Sequence, residues 1–241
     1  MNERKVDNAH LKNKTAGKAG ILREGFIKSL PILCSYLFLG MAYGILMEEA
    51  GLPWFLSLFT SLTVYTGAFQ FVLIGFMSGG ASLLTIAVTA LLMNSRQTFY
   101  ALTFLKDFSS MGKRKWFMVH TLTDETYAVN CTLETKGERR YGTMFVVALL
   151  SWLYWAGAAA LGGIVGQLIP YDTTGIDFCM TALFITIFIE QWEKTKNHRP
   201  ALAGLGIGIL MLCIFGPSTF MLPSLLITSG LLLVIGGKEA A

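Results

Sequence analysis

The sequence predicts an all-α protein, a polytopic bundle of about seven to eight transmembrane helices. Three observations lead there. The mean hydropathy of the 241 residues is +0.57. Only 14% of them are charged, against roughly 25% in an ordinary soluble domain. Apolar runs recur along the chain, several as long as the ~20 residues that a helix needs to cross a hydrocarbon layer of about 30 Å.

The chain opens on a basic stretch, residues 1–26, in which Arg4, Lys5, Lys12, Lys14, Lys18 and Arg23 outnumber Glu3, Asp7 and Glu24. The apolar run that follows is too long for the core of a signal peptide, so the stretch reads as a cytoplasmic leader. Apolar windows then cover Ile27–Met47, with Pro31 in its first turn, and Pro53–Met77, Ser82–Leu105, Thr143–Ile169, Ile176–Trp192, Ala201–Phe215 and Thr219–Ile235. Those ending at Trp192 and Phe215 are short for a straight crossing, and Trp116–Cys131 is apolar in part but shorter still. Residues 27–237 read as one membrane domain, with halves of about 27–105 and 143–237 around a charged middle region, 106–142. Three long windows on each side of that region suggest inverted repeats, and the polar residues within them suggest broken helices.

Positive charge marks the cytoplasmic side. Lys238, Lys194, Lys196, Arg199, Arg139 and Arg140 all fall there if both termini are cytoplasmic. The first half conflicts with that rule, because full second and third spans place Lys106, Lys113, Arg114 and Lys115 outside. Either Trp116–Cys131 crosses back as an eighth span and the rule is broken once, or a segment of the first half is broken or re-entrant.

Several chemistries are absent from the pattern. Cys34, Cys131, Cys179 and Cys213 form no CxxC and no metal-type cluster with histidine. No phosphate-binding GxxxxGK[ST], no HExxH and no GxSG is present, so neither a nucleotide-driven pump nor an intramembrane hydrolase is favoured, and no cofactor is expected. Glycine pairs four apart, Gly40 and Gly44, Gly162 and Gly166, and Gly204 and Gly208, allow helices to approach closely.

Polar residues inside apolar windows are costly and call for a partner, a cavity or a function. "VYTGAFQF" puts Thr66, Gly67 and Gln70 in the second window, where they either interrupt the helix for a ligand or serve packing; spacing alone favours packing. "MNSRQTFY" puts Asn94 and Arg96 in the third, and the Arg96 guanidinium suits either a substrate carboxylate or an internal acid. "HTLTDETYAVN" supplies Asp124 and Glu125. In a continuous helix Asp124 shares a face with His120 and Glu125 with Thr121. The alternatives are a His120–Asp124 pair with a solvated Glu125, or one acid paired with Arg96 and the other exchanging protons.

"YTGAFQF", "NSRQTFY" and "TDETYA", in that order, resemble the AzlC family of branched-chain amino acid exporters, over about Gly25 to the end of the last window. The resemblance implies a bacterial inner-membrane secondary transporter that exports valine, leucine and isoleucine or their analogues. It also implies coupling to the proton motive force and a small hydrophobic AzlD-type partner. Carried over residue by residue, the implied site comprises Gly67, Gln70, Asn94, Arg96, Asp124 and Glu125, with Thr66 beside them. Ser95 and Gln97 depart from the family pattern, in which an apolar residue and a histidine flank the arginine. That departure leaves room for a different small amino acid. A non-transporting partner subunit is the remaining alternative.

Overall fold

The computed structural model describes residues 3–168, 196–216 and 220–239, together with 181, 182, 185, 188, 189, 192 and 193. The side chains of residues 3–16, Arg96, Phe99, Met221, Leu222 and 233–239 lie outside that description. Every regular element among the described residues is helical: α1 (Glu3–Glu49), α2 (Trp54–Thr63), α3 (Ala68–Gly79), α4 (Leu83–Thr103), α5 (Leu105–Ser110), a 3₁₀ turn (Gly112–Arg114), α6 (Lys115–His120), α7 (Asp124–Cys131), α8 (Gly137–Leu168), α9 (Arg199–Phe215) and α10 (Met221–Glu239). The expected window Ile176–Trp192 falls largely outside the described residues. The chain divides into two compact units, Met1–Gln70 with Arg96–Tyr171 and Phe71–Ser95 with Asp172–Ala241.

The first unit is built on α1 and α8, whose segments Gly17–Glu49 and Gly137–Leu168 are both long and apolar enough to cross a membrane. The two helices run parallel. Arg139 pairs with Glu24 at one end, while Gln167 donates to Glu48 at the other. Between these ends the glycine pairs bring the backbones together. A Cβ added to Gly44 would overlap the Ala159 carbonyl and the Gly163 nitrogen, and one on Gly162 would overlap the backbone of Met41. Small residues give this contact because helices in lipid gain little from apolar burial and much from close packing. In the second unit, a Cβ on Gly204 or Gly208 of α9 would merely touch Thr228 or Ser224 of α10.

The second expected window is two helices rather than one span. With 10 residues, α2 is about 15 Å long, half of a crossing. It starts with Trp54 against Gly163, runs down α8 with Ser57 donating to the Ala159 carbonyl, and ends where Trp152 donates to the Leu62 carbonyl. The chain then turns back. Gln70 donates to Ser61 at 3.3 Å, although nine residues of continuous helix would separate them by about 13 Å. Two left-handed residues, Tyr65 (φ 45°) and Gly67 (φ 49°), make the turn.

The segment Trp116–Cys131 is likewise a hairpin. Arg114 and Phe117 lie against Phe145, and α6 then rises until His120 reaches Leu62 and Tyr65. After the break at residues 121–123, α7 descends from Tyr36, and its last turn is held by Arg140, which bonds the Asn130 and Leu133 carbonyls and pairs with Asp107 at 3.1 Å. Phe104, Phe108, Met118, Leu122, Leu133, Met144 and Ala148 fill the core beneath it. Neither α6 nor α7, with 6 and 8 residues, is long enough to cross a membrane.

The break corrects the shared face expected of His120 and Asp124. Thr123 is an N-cap in a reciprocal capping box with Thr126, so α7 begins at Asp124 and His120 belongs to another helix.

Candidate functional site

The tips of the two hairpins meet near the middle of α1 and α8, each reaching that level from the opposite end. Trp155 of α8 forms the floor. Its indole donates to Gln70 at 2.9 Å, and its ring packs edge-on against Tyr36 and stacks with Tyr43. Tyr43 in turn shares a hydrogen bond of 2.8 Å with Thr60. The Gln70 amide thus binds both Ser61 and Trp155, and it ties the hairpin to α8.

The α6–α7 tip brings Thr123 and Glu125 to Tyr36. The Tyr36 hydroxyl lies 2.9 Å from the Thr123 Oγ1 and 3.0 Å from the Glu125 Oε2, to which it donates. Asp124 and Glu125 are both half-buried in the first turn of α7, where unpaired N–H groups and the helix dipole favour negative charge.

The α2–α3 tip supplies Tyr65, Thr66 and Gly67. Tyr65 is 2% exposed, its ring lies 6.5 Å from that of His120, and its hydroxyl is buried without a hydrogen bond of good geometry. The Thr66 Oγ1 is also buried without a partner. A Cβ built on Gly67 would meet no atom within 4 Å. The tip thus carries two buried, unpartnered hydroxyls at the half-buried start of α3, in an otherwise apolar setting.

Of the residues expected in the site, Thr66, Gly67, Gln70, Asp124 and Glu125 all lie in the first unit. Asn94 is half-buried on α4 in the second unit. The backbone of Arg96 belongs to α4, and its side chain is outside the described residues. Tyr36, Tyr65 and Thr123 are additions that the sequence reading missed. Thr123 had a visible signal, a threonine followed by two acids, which marks a helix start. Tyr36 had none, since a tyrosine in an apolar helix reads as packing.

No group of three or more histidine, cysteine, aspartate or glutamate side chains that would hold a metal ion occurs among the described residues.

The family model for the AzlC protein matches residues 31–169, from the first turns of the α1 span to the end of α8, and so includes both hairpins. The chain belongs to the AzlC family. It is 37% identical over 95% of its length to the branched-chain amino acid transport protein AzlC of Bacillus subtilis, 90% of which is covered. An uncharacterized membrane protein of Helicobacter pylori strain J99 is 38% identical over 85% of this chain and 90% of its own. The inner membrane protein YgaZ of Escherichia coli is 27% identical over 79% of this chain and 82% of its own. No solved structure matches. Membership makes this a membrane protein of a transport family.

Proposed function

We propose that the protein is a secondary transporter that exports branched-chain amino acids across the bacterial inner membrane. In this reading it draws on the proton motive force and works with a small AzlD-type membrane subunit. The observation that carries the reading is the meeting of two hairpin tips at mid-height around Glu125, Tyr36 and the unpartnered Tyr65 and Thr66 hydroxyls. Polar groups at such a depth serve a ligand or proton path in membrane proteins, and half-length helices offer free backbone groups there. The name of the Bacillus subtilis relative supplies the substrate class. Glu125 serves the proton or the ammonium group and Asp124 supports it, while Asn94 and Arg96 of α4 are further candidates for substrate binding or proton coupling.

The hairpins also suit a topology that obeys the charge rule. If α1 carries the chain outward, α2 and the start of α3 dip in from the outer side. A return crossing by α4, whose 21 residues span about 31 Å, then brings Lys106, Lys113, Arg114 and Lys115 to the cytoplasmic side with Arg139 and both termini. The α6–α7 hairpin enters and leaves on that side without crossing. Residues 27–237 then act as one transport domain behind the basic leader 1–26.

The test is valine efflux from a bacterial strain that lacks its own valine exporters and is loaded with a valine-containing dipeptide. Efflux should require the chain and fall at least tenfold in Glu125→Gln, with membrane insertion unchanged. Full efflux by the inserted variant removes Glu125 from the mechanism. A wild-type chain that moves no amino acid, alone or with its partner, leaves a non-transporting subunit in its place.

A further inference from the structure

Resting on that reading, we infer that the two hairpin tips divide the charged ends of a free amino acid between them: Tyr65, Thr66 and the start of α3 hold the carboxylate, and Glu125, held in place by Tyr36, holds the ammonium group. The two tips differ in charge preference. At the α2–α3 tip the unpartnered groups are hydroxyls, which can donate to an anion, close in sequence to the helix start of α3, and helix starts of this kind attract anions. Gly67 leaves space above the first N–H groups of α3, where a side chain would stand between them and a ligand. Within α3 the accounted bonds begin with Phe69 and Gln70, which donate to the Thr66 and Gly67 carbonyls.

At the α6–α7 tip the side chains facing Tyr36 are a carboxylate and a threonine already engaged in capping. Tyr36 donates to one oxygen of Glu125, which leaves acceptor capacity on the carboxylate for a cation. The two tips touch, the Tyr65 ring lying 6.5 Å from the His120 ring and His120 reaching the Leu62 carbonyl, so the two kinds of group face one small ligand. Tyr36 is a positioning residue in this arrangement, whereas Tyr65 and Glu125 touch the substrate.

The purified full-length chain, equilibrated with radiolabelled L-leucine, separates the two ends through truncated competitors. L-leucinamide keeps the ammonium group and lacks the carboxylate, while 4-methylpentanoate keeps the carboxylate and lacks the ammonium group. Both should displace leucine from the wild type at least tenfold more weakly than leucine itself. Tyr65→Phe should weaken leucine and 4-methylpentanoate about tenfold and leave leucinamide unchanged, the size expected for one hydrogen bond to a charged group. Glu125→Gln should weaken leucine and leucinamide and leave 4-methylpentanoate unchanged. Thr66→Val provides a second test of the carboxylate end should Tyr65→Phe not yield a monodisperse protein. Equal weakening of all three ligands by each variant, or no weakening, overturns the division while leaving an amino acid site intact. Failure of leucine, valine and isoleucine to bind the wild type overturns the transport reading and the division with it.

Discussion

The two hairpins have the same outline and opposite internal economies. At the α6–α7 tip each threonine hydroxyl is occupied: Thr121 donates to the Phe117 carbonyl at 2.7 Å, Thr126 closes the capping box, and Thr123 adds the contact to Tyr36. At the α2–α3 tip Tyr65 adopts a left-handed backbone that a bulky residue rarely takes, and both tip hydroxyls are unpartnered. Strain and unmade hydrogen bonds persist where the surroundings enforce them, and they concentrate where a protein meets a ligand. One tip is thus closed on itself and positions Glu125. The other holds its bonding capacity in reserve.

The strongest way to break that difference is to release the α2–α3 hairpin from its floor. Gln70 is fully buried and holds both Ser61 and the Trp155 indole. Gln70→Ala removes both bonds and opens a cavity, and it should lower stability by about 2 to 4 kcal/mol in a thermal unfolding measurement in detergent. Gln70→Met keeps most of the volume and should recover part of the loss. The α6–α7 tip responds to a smaller change: Thr123→Ala deletes the cap and should cost about 1 to 2 kcal/mol, with Thr123→Ser close to the wild type. Gly67→Ala isolates backbone conformation, because the added methyl group meets no neighbour within 4 Å. Its expected cost of about 1 kcal/mol is that of a left-handed residue with a Cβ.

The residues explain which parts of this architecture were legible beforehand. Apolar runs marked α1, α4 and α8 because a long helix in lipid needs an almost uninterrupted apolar sequence. The paired glycines marked helix faces suited to close approach, and the structure shows that those of α1 and α8 meet each other. The charge pattern exposed a fault in the first half, but charge alone does not say where the chain turns. The α2 break was foreshadowed by Thr66 and Gly67, yet the turn depends on Tyr65, and no propensity places a tyrosine at positive φ. The α6–α7 break was written in Thr123, Asp124 and Glu125 as a helix start, and the apolar residues around it masked that signal. The partnership of Tyr36 with Glu125 joins positions 89 apart, and local pattern carries no trace of such a pairing.

The smallest effect on stability tests the comparison most sharply. Tyr36 and Tyr65 are both buried tyrosines within one cluster, and they differ in whether the hydroxyl is in use. Phenylalanine keeps the ring and its packing in each case, so the change reports on the oxygen. Tyr36→Phe removes the donor to Glu125 and the contact to Thr123, leaving a carboxylate without a partner it had, and should cost about 1 to 2 kcal/mol. In Tyr65→Phe no native hydrogen bond is lost and a buried polar atom is relieved, while the positive φ and its strain are the same before and after. Stability should therefore stay within about 0.5 kcal/mol of the wild type or rise slightly. Parallel unfolding curves of the two variants in one detergent make the measurement. Equal losses at both tyrosines would mean that the Tyr65 hydroxyl is bonded in the resting protein, and the two tips would then stand on the same footing.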